Sequence, residues 1–187
     1  MSGHKKGIPM MLAAGAVCAA GWMAFVPTTR GYASTWAHSD ANIVFVLDQA
    51  SAADSARGAL AWTKGTTTDV KNFGKLMAGE HHALRLEGQQ LAHKLGVTPE
   101  EPAGFTGTAD AMREMDSLQA MPMGKAWDTA YMDFEVAYHK AVLATATKAL
   151  GDAQNADLKA LITQAAPVIQ HHLAEAERIR TSMGSGD

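Results

Sequence analysis

Four places in the chain carry groups that could do chemistry: Asp54, the pair Glu80-His81, Glu135 with His139, and His172 beside His171. Glu135 and His139 are four residues apart, so on a helix they stack on one face. That face also carries Tyr131, Met132, Tyr138, Val142 and Leu143, which makes it a core face. A carboxylate and an imidazole turned into a core are costly unless something satisfies them. Two kinds of partner would do so. Imidazole and carboxylate together form the donor set that holds iron, manganese, zinc or copper. The same groups can instead close on one another in a polar network that fixes helix register and binds nothing.

The elements that must position these groups are helices. Trp127 to Leu150 has no internal Gly or Pro, and reads as a six-turn helix with Thr129, Asp133, Lys140 and Lys148 on the solvent side. Ser39 and Asp40 are plausible N-caps for a first helix over 41–64. Ile43, Val46, Leu47, Ala50 and Ala61 share its inner face with Asp54, and Arg57 lies near enough to pair with Asp54. A second helix runs from Asp69 to Leu95, stopped by Gly96. Glu80 and His81 flank the middle of its apolar face, whereas His82 and His93 point away. The Pro- and Gly-rich stretch 98–107 reads as a loop, followed by a short helix, 109–121, whose core face is predicted to be Met112, Met115 and Leu118. The last helix is predicted over 153–183, with Gly151 ending the one before it. His172 lies on its core face, His171 faces solvent, and Pro167 should kink it.

The predicted fold is therefore all-α, an antiparallel four-helix bundle with a short extra helix before the third long one. Each long helix contributes an unexpected polar group to its inner face. Antiparallel pairing puts Asp54 level with Glu80 and His81. His139 and His172 match less well, by up to about two turns at 1.5 Å per residue. Composition agrees with helices: 47% of the 187 residues are apolar and only 6% aromatic. Net charge is −3, and Lys5, Lys6 and Arg30 account for all basic residues before residue 34. The rest of the chain is thus more acidic still, which argues against a nucleic-acid partner. The eleven methionines mostly repeat at core spacing and read as packing rather than as thioether copper ligands. Cys18 is the only cysteine, so disulfides and thiolate metal sites are excluded.

Residues 1–33 read as a targeting segment: Lys5 and Lys6, an uncharged run from Ile8 to Val26, then Gly31-Tyr32-Ala33 as a cleavage site. The run is long enough that an uncleaved membrane anchor is the competing reading. Either places the remainder outside the cytoplasm, in a periplasm or cell envelope. Residues 34–42 would be a linker, 43–183 the bundle and 184–187 a disordered tail. Membrane contact is expected only through the N-terminal segment. A homo-oligomer is compatible with the sequence, which names no protein partner.

From Phe45 to Ile179 the chain resembles the exported bacterial family called domain of unknown function 4142. The resemblance rests on Met77-Ala78-Gly79-Glu80-His81, on Trp127-Asp128-Thr129-Ala130-Tyr131 through His139, and on Pro167 to Leu173. Glu80 stands where the family usually has Asp, Asp54 where it has Glu, and Glu135 where Gln is frequent. The resemblance implies a periplasmic ferritin-like bundle without an established activity. The paired Glu-x-x-His motifs of di-iron ferritins are absent, so a ferroxidase is not implied. The leading expectation is a bundle of unestablished activity, leaning away from an enzyme, that binds a divalent metal ion through His81, His139 and His172, with Glu80, Glu135 and Asp54 as ligands or supports. The alternative is a structural or partner-binding envelope protein whose inner network only fixes the fold.

Overall fold

The computed structural model describes residues 39–184. The targeting segment, most of the linker and the last three residues of the tail lie outside that range. Five helices follow in order: α1 (Asp40–Lys64), α2 (Thr68–Leu95), α3 (Gly107–Ala120), α4 (Lys125–Asp152) and α5 (Ala156–Gly184). Among the described residues there is no strand, so the all-α bundle stands. No helix among them is long and apolar enough to cross a membrane.

Local chemistry sets the boundaries. The Ser39 hydroxyl accepts from the Asn42 amide and opens α1. Thr67 does the same for α2 through the Val70 amide. Gly96 ends α2 in the left-handed conformation at φ 65°. Gly151 does not end α4: the helix continues to Asp152, and Ala153 turns away in an extended conformation. α5 starts three residues later than its periodicity predicts, because the Asn155 side chain accepts from the amides of Asp157 and Leu158. These shifts at the α4–α5 turn remove most of the height mismatch between His139 and His172. Pro167 lies inside α5, and the helix runs on past it.

α1 and α2 form one hairpin and α4 and α5 another. In the first, the backbones nearly touch. A Cβ on Gly58 would sit 2.6 Å from the Ala78 nitrogen and the Gly74 oxygen, and one on Gly74 would sit 2.6 Å from the Trp62 nitrogen. Buried Asp128 of α4 ties the hairpins together at this end. Its carboxylate accepts from the Thr66 amide at 2.9 Å, the Thr66 hydroxyl at 2.7 Å and the Thr67 amide at 3.0 Å.

Two apolar cores result. One gathers Ala61, Phe73, Met77, Leu118, Trp127, Tyr131 and Ile179 at the α1–α2 turn. The other gathers Ile43, Val46, Phe134, Val142, Leu158 and Ile162 at the opposite end. α3 departs from its predicted face. Leu118 is buried as predicted, but Met112 is 65% exposed, and Asp110 and Glu114, at four-residue spacing from Leu118, are buried. Trp127 donates through its indole N–H to the Leu118 carbonyl at 2.7 Å, which holds α3 in that rotation. Leu150, predicted to face the core, is 36% exposed.

Candidate metal centre

Between the two cores lies a polar layer. Along α1 it takes Asp54 and Arg57, between Ala50 of one core and Ala61 of the other. α2 gives His81, α4 gives Glu135 and His139, and α5 gives His172. All six side chains are buried. The helical repeat places each of them where its own helix faces the bundle axis, so the layer is dictated by chain position rather than by a loop.

The three imidazoles form a triangle. Ring centroids are 5.1 Å apart for His81–His172, 5.5 Å for His139–His172 and 5.6 Å for His81–His139. His81 Nε2 lies 3.2 Å from His172 Nδ1 and 2.9 Å from Asp54 Oδ2. His139 Nε2 lies 3.4 Å from the same oxygen. One nitrogen from each ring can be chosen so that all three lie within 4.8 Å of one another. Asp54, Glu135 and His139 meet the same condition.

The outer partners fix which nitrogens carry protons. His139 Nδ1 is 2.9 Å from the Glu135 carbonyl oxygen, which can only accept, so Nδ1 holds the proton and Nε2 presents its lone pair inward. His172 Nε2 is 2.7 Å from Glu80 Oε2, so it donates outward and Nδ1 presents its lone pair inward. This is the outer-sphere arrangement by which proteins orient imidazole ligands. Glu80 itself is 44% exposed and sits at the outer edge of the layer, away from the triangle. Inside, Asp54 Oδ1 and His139 Nε2 are buried without a hydrogen-bond partner, and Asp54 Oδ2 has only His81 Nε2 at 2.9 Å. Such atoms are costly unless a donor or a cation meets them.

Arg57 is the residue of this layer whose depth the sequence did not reveal. It is 1% exposed, its guanidinium 4.4 Å from the Phe134 ring centroid and 4.1 Å from that of Tyr138. Three carboxylates surround it: Glu135 at 3.6 Å, Asp54 at 3.7 Å and Glu114 of α3 at 3.9 Å. The expected Asp54–Arg57 pair is thus present, within a wider cluster. Glu114 is legible only once the true face of α3 is known, since Met112 and Met115 suggest another rotation.

Electrostatics follow from burial and from these neighbours. Burial alone would raise Asp54, but His81, His139 and Arg57 outweigh it and hold the carboxyl well below the usual range. Glu135 is pushed well above that range by burial and by Asp54, against the pull of Arg57. Burial lowers His139 to about 4 despite Asp54, and lowers His172 despite its hydrogen bond to Glu80. Those two imidazoles are therefore neutral near pH 7, the form that ligates metals.

The class of protein defined by this fold and layer is an all-α bundle with a buried histidine–carboxylate cluster that could hold a metal ion. The chain belongs to the family described as Domain of unknown function (DUF4142), whose model matches residues 27–179. No curated protein and no solved structure matches it.

Proposed function

We propose that this chain is an exported, periplasmic or envelope-located bundle that binds one divalent first-row transition metal ion in its core. The ligands in this reading are His81 Nε2, His139 Nε2, His172 Nδ1 and Asp54. Glu80 and the Glu135 carbonyl orient two of the imidazoles, and the Glu135 carboxylate stands behind Asp54. The observation that carries it is the inward lone pairs of His139 and His172 beside a fully buried Asp54 carboxylate, which His81 Nε2 approaches to 2.9 Å. Three imidazoles and a carboxylate suit zinc, iron, manganese or copper. Arg57 supplies a fixed cation beside Asp54 and Glu135, where a second ion would otherwise go, which supports one ion per chain. Export is supported by the charge and hydropathy of residues 1–33.

Metal analysis of tag-free protein, before and after chelation, tests the reading. The expected result is about one ion per chain, with affinity lowered more than roughly hundredfold in His139→Ala. If wild type and variant alike carry none and take up no zinc, iron, manganese or copper, the reading fails. The Arg57 cluster also favours a second reading, a network that fixes the bundle. Under it, His139→Leu keeps or raises thermal stability, and added metal has no effect on melting.

A further inference from the structure

The core farther from the α1–α2 turn is not closed. A narrow cavity of about 60 Å³ runs into the bundle among α1, α2, α4 and α5. Its walls are aliphatic, with Val44, Val142, Leu158, Ile162 and Ile169 among them. The half-buried lining residues Leu84, Arg85 and Gly88 of α2 and Leu161 and Ala165 of α5 place the mouth along the α2–α5 seam. Beside the polar layer the lining includes His81.

Two independent features mark this space as more than a packing gap. The first is Gly88. It lies in the middle of α2, where glycine weakens a helix. No neighbour demands it: a Cβ there would meet nothing within 4 Å. Gly58 and Gly74, on the same hairpin, are required by backbone contact; Gly88 instead leaves the entrance open. The second is His81, 97% buried by its 3% exposure. Its Nε2 faces Asp54 and His172, while Nδ1, across the ring, is buried without a hydrogen-bond partner.

We infer that this cavity is a binding site for a small, uncharged, unbranched aliphatic molecule carrying one hydroxyl at its inner end. The alkyl chain lies among the aliphatic walls, and the hydroxyl hydrogen-bonds His81 Nδ1. A hydroxyl both donates and accepts, so it fits whichever nitrogen of His81 holds the proton. A charged ligand is disfavoured, because the charges at the mouth already have partners. Arg85 Nε donates to Asp48 at 3.0 Å, and the Gln89 amide donates to the same oxygen at 2.7 Å. Nothing within the walls would compensate a buried charge.

The test is titration of the chelator-stripped protein with n-hexanol, followed by methyl NMR of Val142 and Ile162, so that the outcome is independent of any metal. Saturable shifts are expected at both residues. Hexanoate, with the same chain length and a charge, should bind at least about tenfold more weakly. Gly88→Leu, and separately Ala165→Phe from the opposite side of the mouth, should weaken hexanol binding by at least about tenfold. Gly88→Leu should melt no lower than wild type. Unmoved methyls, hexanoate binding as tight as hexanol, or wild-type affinity in both plugged variants would each overturn the inference.

Discussion

The two glycine contacts on the α1–α2 hairpin and Gly88 farther along α2 describe opposite ends of one bundle. At Gly58 and Gly74 the helices approach until no side-chain carbon fits between them. At Gly88 there is room for several. The polar layer lies between these ends. It is sealed on the side of Trp127, Tyr131 and Phe73 and approached by the cavity on the side of Val142 and Ile162. Close packing and access are thus assigned to different turns of the same helix pair, and the buried histidines sit at the boundary.

The contrast can be broken most strongly at the sealed end. Gly58→Ala drives a carbon to within 2.6 Å of two backbone atoms of α2, so the hairpin must part. A loss of roughly 3 kcal/mol is expected in urea denaturation, at the upper end of overpacking effects. An unchanged midpoint would show that the two backbones are not in contact there.

The layer itself is probed by acid. His139 titrates at about 4 when folded and near its ordinary value of 6.5 when unfolded. The unfolded chain therefore binds more protons between those limits, and stability falls as pH drops through that window. His172 is shifted the same way, and Asp54, depressed in the fold, adds its loss at still lower pH. Glu135, raised in the fold, works in the opposite direction, because it keeps its proton on folding. Between pH 7 and 5 His139 alone should cost the metal-free protein about 2 kcal/mol. Denaturation curves at both values should show the pH 7-to-5 loss smaller by about that amount in His139→Gln, which cannot titrate.

The smallest effect is expected at the open end. Gly88→Ala adds a methyl where none is opposed and removes a mid-helix glycine, so stability should rise by about 0.5–1 kcal/mol. A loss measured by the same denaturation would mean the space over Gly88 is closed in solution.

Much of this was legible in the sequence because helical repeat is a strong constraint. Asp54, His81, His139 and His172 each stand at a core position of a long helix, and the four meet as the repeat requires. Glu80 is legible in part: it reaches His172 but from the rim. Other features were hidden for physical reasons. An arginine on a helix ordinarily carries its charge to water, and only the Phe134 and Tyr138 rings with three carboxylates make the interior tolerable for Arg57. Two apolar-looking methionines gave α3 the wrong face, since periodicity over fourteen residues cannot register the Trp127 hydrogen bond that sets its rotation. Asp128 looks like a first-turn acid of α4, and its bonds to Thr66 and Thr67 depend on a distant turn. The cavity is a property of what neighbouring helices fail to fill, and Gly88 marks it only once its neighbours are in place.

The division of the layer between two hairpins bears on the order of assembly. Asp54 and His81 arrive on the first, and His139 and His172 on the second. Each hairpin can form from neighbours in the chain, yet neither half holds more than two of the four inward groups. Docking of the hairpins, clasped by Asp128, is therefore the moment at which the cluster comes into being. An ion captured there would leave only as fast as the hairpins part, so its exchange rate would report a breathing motion of the whole fold.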